Sequence, residues 1–299
     1  MSLLVIGTLA FDDVETPYAK REEALGGSAT YFAWSSSYFA PIRLVGVVGQ
    51  DFPGQHLADL RERGVDTGGV EIAEGKTFRW GGRYEADWNT RHTLKTELNV
   101  FEHFDPKVPE DYRDSPYVFL ANAAPAVQMK ALEQVSGRQF VMADTMNLWI
   151  DIAKGDLLEL LKRVDGLVLN DEEARMLTGE NHLISAARKV LELGPKFVVL
   201  KKGEHGAFLV GEDVHFAIPA YPVDQVVDPT GAGDCFAGGF MGYLAAARDT
   251  SPSTLKRAML YGTVTASFCV EGFSVDRFVE QNRGAVERRF NEFHSIVSL

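Results

Sequence analysis

Cysteine is scarce in this chain: two in 299 residues, Cys235 and Cys269, far apart and outside any CxxC or Cys/His spacing. That excludes a disulfide framework or a thiolate zinc site and points to buried thiols in a reducing compartment. Positive charge is short as well, with 30 Lys and Arg against 42 Asp and Glu, a formal charge of −12 and no basic block. Such a surface repels a phosphate backbone, so nucleic acid is not an expected partner. Long apolar runs are missing too. None approaches the roughly 20 residues that span a bilayer, and the opening "MSLLVIG" has neither the basic start nor the cleavage site of a signal peptide. Seven histidines are scattered without ligand spacing, and HExxH, serine-elbow and HRD patterns are absent. The expectation is a soluble, cytoplasmic protein with no membrane partner.

What is present is an ordinary globular composition, 45% hydrophobic and 24% charged. Short apolar runs recur: "LLVIG", "IRLVGVVG", "YVFLAN", "FVMADT", "GLVLN" and "FVVLK". Runs apolar at nearly every position suit strands buried on both faces. The helical patterns between them, at 28–39, 54–62, 127–135, 157–163 and 184–193, suit a parallel sheet. The predicted fold is α/β: one domain over residues 1–299 with a doubly wound, mostly parallel sheet flanked by helices, whose ligands collect at the carboxyl ends of the strands. Period-two patterns between turn residues in 69–98, and again near 11–25, predict a small β-strand lid inserted in that domain. A lid that closes over substrate excludes water from transfer chemistry.

The most informative stretch is "VVDPTGAGDCFAGGF", residues 226–240. Val226 and Val227 are expected to end a strand, Asp228 and Pro229 to turn the chain, and Gly231, Ala232 and Gly233 to leave backbone N–H groups open where a helix begins. A helix start of that kind binds anions, and phosphate is the natural occupant. A carboxylate there is electrostatically out of place unless it takes a proton. Asp234 is therefore the candidate base for a hydroxyl that attacks phosphorus, with the Gly231 to Asp234 turn as anion hole.

"DPTGAGDCFAGGF" resembles the carboxyl-terminal signature of the PfkB or ribokinase-like carbohydrate kinase family, in which the aspartate after Gly-Ala-Gly is the base. Three further places resemble that family's motifs. In "IGTLAFDDV", the resemblance implies that Asp12 binds substrate hydroxyls, with Asp13 next door as the alternative. In "LGGSATYF", Gly26 and Gly27 match a di-glycine whose backbone lies against the acceptor, although Thr30 and Tyr31 stand where many relatives have asparagine. In "LVLNDEEARMLTG", Asn170 and Glu173 match a motif that organises Mg2+ and its waters near the phosphates, beside the equally acidic Asp171 and Glu172. "VVLKKGEHGAFLV" is similar to the strand and turn that carry part of the nucleotide site, which implies roles there for Lys202 and Gly203. Asp228 matches a position that helps hold a monovalent cation, usually K+, with carbonyls near 270–274.

Asp144 and Asn147 follow a strand end, and Arg79, Trp80, Arg83 and Tyr84 fall on predicted lid strands, where an aromatic ring could stack on a base or a sugar. "GKT" at 75–77 is not a Walker A motif, because five residues separate it from the upstream Gly69 and a strand follows. The resemblance implies an ATP-dependent, Mg2+-requiring phosphotransferase acting on a hydroxyl of a small sugar. A nucleoside kinase and a non-catalytic sugar or nucleotide sensor are the alternatives, and the chain could be a monomer or a homodimer.

Overall fold

The computed structural model describes residues 1–298. Thirteen strands run through them: β1 (Leu3–Ile6), β2 (Ala10–Glu15), β3 (Lys20–Gly26), β4 (Ile42–Gly49), β5 (Val65–Ala73), β6 (Phe78–Tyr84), β7 (Arg91–Glu97), β8 (Tyr117–Leu120), β9 (Phe140–Asp144), β10 (Gly166–Asn170), β11 (Phe197–Lys201), β12 (Ala207–Gly211) and β13 (His215–Ile218). The helices are α1 (Ser28–Ser36), α2 (Gly54–Glu62), α3 (Pro125–Glu133), α4 (Asn147–Ile152), α5 (Lys154–Leu161), α6 (Asp171–Thr178), α7 (Leu183–Leu191), α8 (Ala232–Ala247), α9 (Pro252–Val270), α10 (Asp276–Glu280) and α11 (Arg283–Val297).

Nine strands make the main sheet in the order β13-β12-β11-β10-β9-β8-β1-β4-β5. Pairing is parallel from β11 through β5, and β12 and β13 add an antiparallel edge. Alternation along the strands feeds two cores. Leu3 and Val5 enter the core packed by α1, α2, α8, α9 and α11, whereas Leu4 and Ile6 enter the one packed by α3, α5, α6 and α7. Helices therefore cover both faces, the doubly wound α/β arrangement expected from the apolar runs. No helix among the described residues is long and apolar enough to cross a membrane.

A second sheet of four strands, in the order β3-β2-β6-β7, stands apart from the first. Its centre is a parallel β2–β6 pair, and its flanks are the antiparallel β2–β3 and β6–β7 hairpins. Residues 69–73 do not join it. They continue β5, which runs along β4 in the main sheet, because "GVEIA" follows an apolar start at Val65 without a turn. The two hairpin tips meet where Tyr18 packs on Trp88, ring centres 5.8 Å apart. The "GKT" turn is a structural tie: Thr77 Oγ1 donates to Asp51 at 2.7 Å and accepts the Gly49 N–H at 3.0 Å, joining the end of β4 to the start of β6.

Candidate active site

The carboxyl ends of adjacent strands place one charged cluster. Asp144 ends β9, Asn170 ends β10 and Lys201 ends β11, and Asn170 and Lys201 are register partners. α8 begins above them, so Asp234 in its first turn faces the same space. Lys201 Nζ lies 3.9 Å from Asp144 Oδ2. A Cβ on Gly233 would stand 2.7 Å from that ammonium, so the lysine lies directly against the glycine turn.

Charge and burial work on each other here. Burial and the Asp144 charge push the Asp234 carboxyl up to about 7, against Lys201 and Arg91, which pull it down. Glu173 is likewise raised to about 7 by burial, opposed by Lys201. Burial alone would lower the Lys201 pKa, but the carboxylates of Asp144, Glu173 and Asp234 outweigh it and hold the ammonium charged.

The turn itself departs from the sequence expectation in two ways. Val226 and Val227 form no strand. The Val227 N–H instead donates to the Val270 carbonyl at 2.7 Å, so the segment is tied to the end of α9. The Ala232 N–H is occupied, donating to the Pro229 carbonyl at 3.2 Å, while Cys235 N–H bonds Gly231 O. Between them the Gly233 and Asp234 N–H groups lie at the open end of the helix, where no preceding carbonyl of the helix reaches them. Gly231 has φ 75°, left-handed, and the face of the Tyr31 ring packs where its Cβ would be, 2.5 Å from three ring atoms. Only glycine meets both conditions.

Asn170 and Glu173 form a reciprocal helix cap at the start of α6. Asn170 Oδ1 accepts the Glu173 N–H at 2.8 Å, and Glu173 Oε2 accepts the Asn170 N–H at 2.7 Å. The other Glu173 oxygen has no protein partner among the described residues. Asp171 pairs with Arg175 and Glu172 is exposed, so Glu173 alone of the three acids is buried toward the cluster. Asp228 is buried, its Oδ1 accepting the Thr230 N–H at 2.8 Å and its Oδ2 without a hydrogen-bond partner among the described residues. Burial pushes its pKa up to about 6.

Asp12 sits on the small sheet's inner face. Gly26 passes directly against its carboxylate, and Tyr31 O–H donates to Oδ2 at 3.4 Å. Burial, with the nearby charges of Asp228 and Asp234, pushes Asp12 up to about 8. Among the described residues no cation pairs with it. Asp13 faces the other way and accepts the Glu23 N–H at 2.8 Å. Gly27, at φ 95°, precedes α1 and lies against the Thr8 carbonyl.

Several residues fall elsewhere. Lys202 is turned from the cluster, its Nζ 3.9 Å from the centre of the Phe208 ring, and Lys201 takes the place facing the turn. Gly203 contacts Asn89 at the β6–β7 tip, whose Nδ2 also donates to Glu204 at 3.2 Å. Asn147 Oδ1 accepts the Leu148 N–H at the start of α4. Arg79 points outward to Glu23 and Asp51, and Arg83 is exposed. Tyr84 accepts a hydrogen bond from Thr230 Oγ1 at 3.3 Å, joining the small sheet to the anion turn. Sequence reasoning missed Lys201 and Arg91. The signal for Lys201 was its place as the last residue of an apolar strand, the end at which ligands gather; Arg91 carried none.

A carboxylate near neutrality, a lysine and two N–H groups that no helix carbonyl takes, around one space, can accept a proton while holding a dianion. The profile of the pfkB family carbohydrate kinase matches residues 19–282. A cytidine kinase of Thermococcus kodakarensis is 34% identical over 248 residues, 81% of this chain and 87% of that protein. Among solved structures, Burkholderia thailandensis nucleoside kinase in complex with inosine superposes with a TM-score of 0.79 at 18% identity, covering 98% of this chain and 99% of that one. The ribokinase of Cryptococcus neoformans var. grubii serotype A in complex with ADP does so at 0.78 and 20% identity, covering 96% and 99%.

Proposed function

The chain belongs to the pfkB family of carbohydrate kinases, and from that premise we propose that it transfers the γ-phosphoryl group of ATP to a hydroxyl of an uncharged nucleoside or small sugar. The observation that carries this reading is the Asp234 carboxyl, raised to about 7 beside the open N–H groups of the glycine turn and the Lys201 ammonium. The cytidine kinase relative, 34% identical over most of both chains, moves the acceptor toward nucleosides relative to the sugar expected from motifs alone. A sensor would have no use for a base so tuned.

Asp12 accepts hydrogen bonds from acceptor hydroxyls, with the Gly26 and Gly27 backbone beside it. Its raised pKa reports a site without a compensating cation, so an acceptor bearing a phosphate or carboxylate would find no charge there to hold it. Asp234 orients the attacking hydroxyl and takes its proton as the O–P bond forms and the bond to the β-phosphate oxygen breaks, releasing ADP. The Gly233 and Asp234 N–H groups and Lys201 hold the charge that builds on the transferred phosphoryl. Gly231 and Ala232 shape the turn, and Gly203 with its neighbours borders the nucleotide.

The unpartnered Glu173 oxygen, at the edge of an acidic cluster, suits Mg2+ held through water, which supplies neutralising charge to the phosphates when bound. The orphaned, buried Asp228 Oδ2 beside the Val270 segment suits a monovalent cation. The test is a coupled assay of ADP release from MgATP across nucleosides, ribose, ketoses, aldoses and inositols, with and without K+. Saturable turnover on one class is expected, and Asp234→Asn should lower kcat by about two to four decades while retaining nucleotide binding. Near wild-type turnover in that variant would sink the mechanism.

A further inference from the structure

We propose that the acceptor is a nucleoside whose base lies on the indole of Trp80, an inference that rests on the kinase reading above and narrows its acceptor. Trp80 is placed by its neighbours. Parallel pairing sets it beside Asp12, so indole and carboxylate share the inner face of the small sheet on adjacent strands. Two residues further on the same face, Gly82 has no side chain, and the six-membered ring of the indole fills the place its Cβ would take. Any larger residue would lift the ring away. Glycine lets the indole lie along the strand over the Gly82 backbone.

Arg91, the β7 register partner of Tyr84, brings its guanidinium to 5.6 Å from the Trp80 ring centre on this same side. Tyr84 closes the end of the row through Thr230. Trp80 stays half-buried, with no hydrophobic partner ring stacked on it among the described residues. The inner face thus offers a hydroxyl acceptor and, one strand spacing of ~4.8 Å away, a flat π surface. A nucleoside has the matching parts, hydroxyls on the sugar and an aromatic face offset from it by a comparable distance. A free pentose would satisfy Asp12 and leave the indole uncovered.

The experiment compares wild type, Trp80→Leu and Trp80→Phe in ADP release with cytidine, uridine, adenosine, inosine and ribose as acceptors. Wild type should favour at least one nucleoside over ribose by about a hundredfold in kcat/KM. Trp80→Leu should raise KM for that nucleoside about tenfold or more, the scale of base–aromatic stacking, with kcat and the ribose KM little changed. Trp80→Phe, which keeps a ring and guards against a fold defect in the leucine variant, should recover part of the loss. Wild-type preference for ribose or another base-free sugar would overturn this proposal and leave the kinase reading standing. Equal effects of Trp80→Leu on nucleoside and ribose, or no effect on either, would also overturn it. No turnover on any acceptor would take down the kinase reading and this proposal with it.

Discussion

The free protein holds Asp234 near half ionisation at neutral pH, because burial and Asp144 oppose the pull of Lys201 and Arg91. On the proposed mechanism Asp234 works only when deprotonated, so kcat/KM for the acceptor should rise with pH and reach half its plateau near pH 7, falling about tenfold per unit on the acid side. Glu173 titrates in the same range, so that midpoint belongs to the cluster. A profile flat from pH 5.5 to 8 would remove Asp234 from the proton transfer. The adjacent lysines give a second contrast. Lys201 lies against Gly233 and Lys202 over Phe208. Lys201→Met should lower kcat with MgATP about a hundredfold, the scale of losing one group that holds transition-state charge, and Lys202→Met should lower it far less. Two lysines at a strand end differ only in parity, and the first of them, on the strand's last paired residue, is the one the sheet aims at Asp144 and the glycine turn.

At the level of elements, the start of α8 combines a left-handed Gly231, an aromatic face packed on its Cα and two N–H groups that no backbone carbonyl takes. Gly231→Ala should destabilise the protein by roughly 1–3 kcal/mol, from strain at positive φ together with the clash on Tyr31, and should weaken nucleotide binding. Thermal unfolding and calorimetric titration with MgADP would read the two effects. Unchanged stability would show that the turn relaxes freely. The motif at this turn was legible because glycines and aspartate follow one another in the chain. The tie of Val227 to Val270 was not, since it joins residues more than forty positions apart. Residues 69–73 were misassigned to the small sheet for a related reason: alternation reveals a strand but not its partner.

For the whole molecule, Asp12, Asp228 and Asp234 come from the small sheet, a loop and a helix start to share one acidic space. Asp12 is pushed from 3.8 to about 8, so the folded state favours its protonated form. Its contribution to stability is full below the unfolded value and is lost as pH rises through about 8. Asp12→Asn should therefore stabilise the unliganded protein by roughly 1–2 kcal/mol, a gain that grows between about pH 4 and 8 and then levels off, while acceptor KM rises sharply. Thermal melts across pH would show it. A variant less stable than wild type at pH 8.5 would mean that Asp12 makes favourable contacts outweighing its buried charge. The contact of Asn89 at the small sheet's tip with Gly203 and Glu204 brings that sheet's Arg91 toward the same space.

The sequence by itself determined the layered α/β fold, since apolar runs without polar alternation can only be buried on both faces, and it marked the glycine turn and Asp234 as the candidate anion site and base, since they stand in consecutive residues. Only the tertiary structure decided which of two lysines meets the glycine turn, that Asp12 and not Asp13 turns inward, and that Arg91 comes over the Trp80 indole. Those outcomes depend on strand parity, on register across a second sheet and on glycines that leave room for a side chain from elsewhere, and none of these is a local property of the chain.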